Sequence, residues 1–233
     1  MLNENTLIEY FSSAKLSLDK LKAQKLCAYG EMLIEKNKVM NLTAITDDEG
    51  VAIKHYVDSI LPLTMTDIPK NAKLIDVGAG AGFPSVPMCI YKEDLCAVML
   101  DSTKKRVDFL SGVIEKLNLN ATAVHSRAEE YKEYRESFDI ATARAVARLN
   151  ILCEYCLPFV KVGGLFLALK GKDGKEELKK SQNAISVLGG KVKDVFEYAL
   201  PNGDERTLIV IEKIKPTPKL YPRASAKIAK SEL

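Results

Sequence analysis

An acid followed by three alternating glycines is the first feature of the sequence with chemical meaning. Residues 74–77 form a short apolar segment that carries Asp76, and the pattern from Asp76 to Gly82 is D-x-G-x-G-x-G. Glycine is needed where the backbone turns tightly or lies directly against a ligand. A strand, a glycine turn and a helix in succession place a ligand at the carboxyl end of the strand, beside a helix N-terminus. Residues 74–84 therefore predict a ligand site.

The pattern differs from a dinucleotide-binding loop, which is written G-x-G-x-x-G and holds a pyrophosphate. Phe83 stands at its sixth position, and Asp76 lies two residues before Gly78, the first glycine. A carboxylate there favours a cationic ligand over a phosphate. S-adenosylmethionine carries a sulfonium and an ammonium group, so the loop resembles the first motifs of class I methyltransferases. The alternative is a tight strand-to-helix turn without a ligand.

The ends of the next strands supply further candidate contacts, because ligands of such sheets bind at the carboxyl ends of strands. Asp101 could accept two hydrogen bonds from a ribose diol, or it could only cap the following helix. Ala128 and Glu129 follow the third strand, beside the expected adenine. The fourth strand ends at Arg144, whose guanidinium could hold a carboxylate or a phosphate through two parallel bonds.

The sheet that would hold these residues is predicted from residue 73 onward, where strand patterns alternate with helical ones. The clearest helix runs from 104 to 117, and Pro201-Asn202-Gly203-Asp204 is too short for a crossover, so the last two strands form an antiparallel hairpin. We expect an α/β, class I (Rossmann-like) methyltransferase fold with a mostly parallel seven-stranded sheet and an antiparallel last strand. The predicted strands are 74–77, 97–100, 122–124, 140–143, 165–169, 192–198 and 207–212.

Three segments are expected: an N-terminal helical extension (1–68), the methyltransferase domain (69–213) and a basic tail (214–233). The extension should hold a helix at 6–14, a longer one capped by Ser17 or Asp19, and a third from Asp47 that Pro62 stops. The third helix contains His55; a lone helical histidine is more often packed than catalytic.

Composition points to a globular protein. Of the 233 residues, 47% are apolar and 28% are charged, and no apolar run approaches the ~20 residues of a membrane span. We therefore expect a cytoplasmic protein with no membrane partner. Cys153 and Cys156 form a C-x-x-C without a second pair, which favours core packing over a metal site.

Charge is concentrated at the C-terminus. Residues 213–233 hold six basic residues and one acid, a net charge of +5. Because prolines separate these residues, we expect an extended strand that follows a phosphate backbone, or otherwise a solvated tail. Arg144 and Arg148 lie four residues apart, and we expect Arg148 to be the one that only pairs with a surface acid. The candidate contacts for such a polyanion are Arg127, Arg148, Lys219 and Arg223.

The motifs occur in an order that resembles one family. After D-V-G-A-G-A-G-F-P come Asp101-Ser102, Arg127-Ala128-Glu129 and Ala143-Arg144-Ala145, and Asn41-Leu42-Thr43 precedes them. From about residue 20 to residue 225 the chain resembles the bacterial small-subunit ribosomal RNA guanine-N7 methyltransferases, once called glucose-inhibited division protein B. The resemblance implies transfer of a methyl group from S-adenosylmethionine to N7 of one guanine in 16S ribosomal RNA. It implies cofactor contacts at Gly78, Phe83, Ala128, Glu129 and Arg144, to which our own reading of the residues adds Asp76, Gly80 and Asp101.

The chemistry agrees with this resemblance. Guanine N7 has an in-plane lone pair and no proton, so in-line attack needs positioning but neither a general base nor a covalent intermediate. Residues 142–145 lack the Asn/Asp-Pro-Pro-aromatic motif of exocyclic amine methyltransferases, and neither Cys153 nor Cys156 follows a proline, as the nucleophile of carbon-5 enzymes usually does. Arg144, or alternatively Arg127, could hold guanine O6 or a nearby phosphate.

The expected partner is small-subunit ribosomal RNA in the assembled subunit, since folded RNA or proteins usually present a single modified nucleotide. No obligate protein partner and no protein metal site is evident. Two alternatives stay open: a methyltransferase for a small metabolite, and a nucleotide-binding regulator without catalytic activity.

Overall fold

The computed structural model describes residues 2–144 and 146–233, so Ala145 of the Ala-Arg-Ala motif lies outside it. One seven-stranded sheet has the order β3-β2-β1-β4-β5-β7-β6. Strands β1 to β5 pair in parallel, and β7 is antiparallel to both β5 and β6. This confirms the predicted fold class and the final hairpin. The strands are β1 (Lys73–Val77), β2 (Cys96–Asp101), β3 (Ala121–His125), β4 (Phe138–Arg144), β5 (Val160–Gly171), β6 (Gly190–Ala199) and β7 (Glu205–Lys213).

Helices cover both faces of the sheet, as the alternation of patterns predicted. The expected helix between β3 and β4 was wrong: that connection holds only a 3₁₀ turn, Lys132–Tyr134. Its apolar residues recur every three positions, a spacing that suits a 3₁₀ turn, and the Tyr131 and Tyr134 rings stack 4.7 Å apart. The α-helices are α1 (Glu4–Ser13), α2 (Lys20–Met40), α3 (Asp48–Gly50), α4 (Asp58–Met65), α5 (Ser85–Tyr91), α6 (Lys104–Leu117), α7 (Leu149–Cys156), α8 (Gly174–Lys180), α9 (Gln182–Val187) and α10 (Ser225–Lys230).

The N-terminal extension is helical, as predicted. Asp19 caps α2 by accepting from the Lys22 amide, and Asp47 caps α3 by accepting from the Gly50 amide. A π-helical segment, Val51–Val57, joins α3 to α4 without a break. The predicted stop at Pro62 was wrong, because α4 continues to Met65. Pro62 is buried and the leucines beside it pack on the core, so burial outweighs the lost backbone donor.

Two apolar cores lie on opposite faces of the sheet, and adjacent residues of β1 show the division. Leu74 belongs to the core beneath the N-terminal helices, α5 and α6, whereas Ile75 belongs to the core beneath α7 and α9. Cys153 and Cys156 are fully buried in the second core, which is the packing role expected of them. Among the described residues, no helix is both long and apolar enough to span a bilayer.

The C-terminal tail, residues 214–233, folds back onto the domain, so the expected extended strand was wrong. Arg135 donates to the carbonyl oxygens of Thr217, Pro218 and Tyr221 and holds the first half of the tail in place. In the second half, helix α10 buries Ile228, which is only 1% exposed. Arg135 is far from the tail in sequence, and for this reason the local pattern of lysines and prolines did not reveal this anchor.

Candidate functional site

The glycine loop, residues 78–82, connects β1 to α5 and is held from two sides. The Gly80 amide donates to Asp101 Oδ2 at 2.9 Å, which ties the loop to the end of β2. The Tyr29 hydroxyl on α2 donates to the Ala81 carbonyl at 2.6 Å. The N-terminal extension therefore helps to fix the shape of the loop.

Two of the glycines are required for different reasons. Gly80 has φ +60°, and a Cβ added there would meet only the Gly78 carbonyl, at 3.8 Å, so the space before it is open to a ligand. Gly82 has φ +103°, and a Cβ would lie 2.6 Å from Val86 on α5. Gly82 is thus needed for packing against the helix, and Gly80 leaves the backbone accessible.

Three adjoining cavities follow the carboxyl ends of the strands and form one groove. The β2–β3 cavity is lined by Gly78, Asp101, Arg127, Ala128, Glu129, Tyr155 and Ser225, among others. The loop cavity is lined by Thr43, His55, Gly78, Gly80, Phe83, Asp101, Arg106 and Arg144, among others. The β4–β5 cavity is lined by Lys54, His55, Asp58, Arg144, Arg148, Lys170 and Arg206, among others. Shared residues join each cavity to the next. Of the eight predicted cofactor residues, Arg144 and six others line the loop cavity or the β2–β3 cavity.

Asp101 lies between the first two cavities and is only 3% exposed. Its Oδ2 accepts from the Gly80 amide and its Oδ1 accepts from the Thr103 amide at 2.8 Å. It therefore supports both the glycine loop and the start of α6. Each carboxylate oxygen can accept a second hydrogen bond, so Asp101 can cap the helix and still contact a diol.

Asp76 lies beneath the loop and lines none of the three cavities. The expectation that it faces the ligand directly is therefore corrected. It is fully buried, and Oδ2 accepts from the amide and the hydroxyl of Ser85. Oδ1 has no partner among the described residues, and burial raises the pKa of Asp76 to about 7.

Arg144 ends β4 at the junction of the loop and β4–β5 cavities, as the sequence predicted. Its guanidinium donates to the Lys54 carbonyl at 3.0 Å, to Asp58 Oδ2 at 3.3 Å and to His55 Nδ1 at 3.0 Å. It also lies over the Phe83 ring, 4.8 Å from the centroid. These bonds use at most three of the five N–H groups, so two can still donate to a ligand.

The four predicted RNA contacts fall into two pairs. Arg127 and Lys219 are exposed. Arg148 forms an ion pair with Glu232 at 3.1 Å, which confirms the expectation that it pairs with an acid. Arg223 was expected to contact RNA, but its backbone amide and its Nε each donate to Glu154 Oε1 at 2.8 Å.

Sequence reasoning missed several residues of the groove. Asp58 binds both Arg144 and Arg206, and Thr43 binds His55. Ser225 of the tail lines the β2–β3 cavity, and its amide donates to Glu129 Oε1 at 3.3 Å. The sequence contained one usable signal for this part of the groove. A single helical turn presents the Lys54 carbonyl, the His55 imidazole and the Asp58 carboxylate together.

A family model described as "rRNA small subunit methyltransferase G", the GidB family, matches residues 22–208. The chain belongs to this family. The ribosomal RNA small subunit methyltransferase G of Acetivibrio thermocellus is 49% identical over 232 residues, covering 97% of this chain and 95% of that protein. The protein of the same name from Staphylococcus saprophyticus is 47% identical and covers 97% of both chains.

Solved structures of methyltransferase fold superpose on this chain and confirm its fold. TYW2 from M. jannaschii in complex with AdoMet superposes with a TM-score of 0.56 at 12% identity, covering 73% of this chain and 80% of that one. TYW2 from P. horikoshii in complex with MeSAdo gives 0.55 at 14% identity, covering 68% and 62%. At this identity the likeness concerns the fold alone.

The groove fits the cofactor that such a methyltransferase requires. The open backbone at Gly80 accommodates a ligand lying against the loop, and Asp101 and Glu129 offer carboxylates along the same groove. Beneath the loop, Asp76 Oδ1 has no partner in the part of the chain that the structure describes, which suits a positively charged group. These features favour a cationic, hydroxyl-bearing nucleoside over a pyrophosphate.

Proposed function

We propose that this chain transfers a methyl group from S-adenosylmethionine to N7 of a guanine in small-subunit ribosomal RNA, by direct displacement. Family membership supports the enzyme class and the RNA substrate. One observation favours N7: both nitrogens of His55 are engaged, Nδ1 by Arg144 and Nε2 by Thr43. No free base is therefore available there to take a proton from an amine or a ribose hydroxyl, and N7 has no proton to lose.

In the proposed cofactor site, Gly78, Gly80 and Phe83 hold one end and Ala128 and Glu129 hold the other. Asp101, between the two cavities, would accept hydrogen bonds from a ribose diol. Asp76 would act from beneath the loop as a countercharge. The bound cofactor would supply an electrophilic methyl group on its sulfonium.

Arg144 is proposed to orient the target base. Its unused N–H groups can donate to guanine O6, which leaves N7 free to attack the methyl group. The base would lie in the β4–β5 cavity, where Lys54 and Lys170 are held by Asp204 and Glu177. Because Arg144 lies where this cavity meets the loop cavity, orientation of the base is assigned mainly to Arg144.

Arg127, which lines the β2–β3 cavity, and the exposed Lys219 are proposed to contact phosphates of the RNA. The substrate is proposed to be the assembled small subunit, in the cytoplasm, since folded RNA would present one guanine to a narrow groove. Arg127 and Lys219 would therefore raise the affinity for the RNA, whereas Arg144 would act in the methyl transfer itself.

Radiolabelled S-adenosylmethionine tests the proposal when small subunits, large subunits and protein-free RNA from cells lacking this gene are offered separately. We expect label in small-subunit RNA and more rapid labelling of the assembled subunit. Label only in large-subunit RNA, or label in none of them with the cofactor still bound, would contradict the proposal. The second result would favour a small-molecule substrate.

A further inference from the structure

His55 is held by four contacts that involve different atoms. The residue is 7% exposed, and its ring stacks on Phe83 with centroids 4.1 Å apart and an interplanar angle of 15°. Nδ1 lies 3.0 Å from an Arg144 nitrogen, and Nε2 lies 2.8 Å from Thr43 Oγ1. The Ser59 hydroxyl donates to the His55 carbonyl. The ring therefore has one defined orientation.

The contacts also determine which nitrogen carries the proton. Arginine can only donate, so Nδ1 must accept the bond from Arg144. The proton of the neutral ring is therefore on Nε2, and it is donated to Thr43 Oγ1. Thr43 Oγ1 also accepts from the Ile45 amide at 3.0 Å, so the threonine is itself fixed by the loop before α3.

The charged groups that face the ring keep it neutral. Arg144 approaches from β4, and a protonated imidazole would set donor against donor and one positive charge beside another. Asp58, on the same continuous helix, is engaged by Arg144 and Arg206, and Asp47 acts on His55 only at a distance. Burial and the neighbouring Arg144 lower the pKa of His55 to about 3.

We propose that His55 is a positioning residue for methyl transfer, which holds the Arg144 guanidinium against Phe83 by accepting one hydrogen bond at Nδ1. The inference rests on the proposed function, because Arg144 is the group that orients the base. Phe83 follows the glycine loop, so His55 links the loop to the arginine at the end of β4. A ring that loses this acceptor leaves Arg144 free to turn toward Asp58 and away from the base.

Three variants separate this role from simple packing. His55→Phe keeps a flat ring on Phe83 and removes both hydrogen bonds, whereas His55→Asn places an amide oxygen near the position of Nδ1. Thr43→Val removes the partner of Nε2 and the acceptor of the Ile45 amide, and it leaves the Nδ1 bond to Arg144 in place. The measurements are the single-turnover rate on small subunits at saturating cofactor, the Kd for S-adenosylhomocysteine and the thermal midpoint.

We expect His55→Phe to lower the single-turnover rate about 100-fold while the Kd changes by no more than about threefold. His55→Asn should recover about tenfold of that loss, and Thr43→Val should lose about tenfold or less. A wild-type rate in the folded His55→Phe protein would overturn the inference. So would an asparagine variant no faster than the phenylalanine variant.

A spectroscopic measurement tests the same inference without activity. Nitrogen-15 shifts of His55 should show a neutral ring protonated on Nε2 from pH 8 down to about pH 5, and Arg144→Ala should let the ring titrate closer to its ordinary pKa. A proton on Nδ1, or a doubly protonated ring at pH 6, would overturn the positioning role. If the wild-type protein methylates no RNA but gives the expected shifts, the proposed function fails and the arrangement of His55 and Arg144 stands.

Discussion

The two ends of the chain reach opposite ends of one groove. The N-terminal extension brings Thr43, Lys54, His55 and Asp58 to the Arg144 end, beside the loop and β4–β5 cavities. The C-terminal tail brings Ser225 to the β2–β3 cavity, beside Glu129. Neither segment belongs to the strands of the sheet, and both complete a site that the sheet begins.

The two ends differ in how many of their polar groups are already engaged. At the Arg144 end, two N–H groups of the arginine are still available to a ligand. At the tail end, Arg223 donates to both carboxylate oxygens of Glu154, which is 1% exposed, and its backbone amide donates there as well. We infer that the first end acts on the substrate and that the second end maintains the shape of the cofactor site.

The largest effect is expected from Arg144→Ala. Loss of the base-orienting donors should lower the single-turnover rate of methyl transfer by about 10²-fold or more. Folding should suffer far less, because Arg206 still pairs with Asp58. Lys191→Ala is the control, since Lys191 is exposed on β6 and lines none of the three cavities. A normally active Arg144→Ala enzyme would remove this residue from the site.

The second effect concerns stability at the tail end. Arg223→Ala leaves the buried Glu154 carboxylate without its ion-pair partner and should lower the free energy of unfolding by about 3 kcal/mol. Denaturant titration measures this change. The double variant Arg223→Ala with Glu154→Gln should recover most of the loss. If Arg223→Ala instead kept full stability and weakened only RNA binding, the tail would be an RNA-binding segment. That result would contradict a structural role for the tail end of the groove.

We expect cofactor binding to depend on pH because of the Asp76 carboxyl. Its pKa is raised to about 7, and a cationic ligand favours the ionised form, so affinity should increase with pH through 7 and level off above it. The increase in S-adenosylmethionine affinity from pH 6 to pH 8 should be roughly tenfold at most. Calorimetric titration measures it, and Asp76→Asn should abolish it. An equal slope in both proteins would show that the pH dependence has another origin.

The smallest effect is expected at the exposed residue Lys219. Lys219→Ala should weaken small-subunit binding modestly and reduce the slope of log affinity against log salt by about one. Lys191→Ala, an exposed lysine on β6, is the control and should leave the slope unchanged. Trimming the chain after Lys213 is a less specific test, since it would also remove Ser225, Arg223 and the buried Ile228. A wild-type slope for Lys219→Ala would place the RNA elsewhere.

The sequence was sufficient for the sheet and for the loop because their signals are local. Apolar segments of β1 to β7 and the short turn at 201–204 predicted each strand and the hairpin. The D-x-G-x-G-x-G pattern located the ligand face. Where the periodicity was weak, as between β3 and β4, the predicted helix was absent.

The sequence was not sufficient where a role depends on a distant partner. Arg223 and Arg144 are the same residue type, and only their distant partners distinguish them. Arg223 binds Glu154, 69 residues away, and is structural, whereas Arg144 binds His55, 89 residues away, and faces the groove. His55 likewise depends on Thr43, Phe83 and Arg144, which come from three different segments. The basic tail had the composition of an RNA-binding strand, but Glu154 and Arg135 fix it to the domain.

The identity of the methylated atom separates direct displacement at N7 from methylation of an amine or a ribose hydroxyl. Small subunits from cells lacking this gene would be methylated with labelled cofactor, and their RNA would be reduced, cleaved at N7-methylguanine and mapped. We expect one labelled guanine, released at that cleavage. Label that stays in uncleaved RNA, on an exocyclic amine or a ribose, would contradict it, because the groove would then need a base that His55 does not provide.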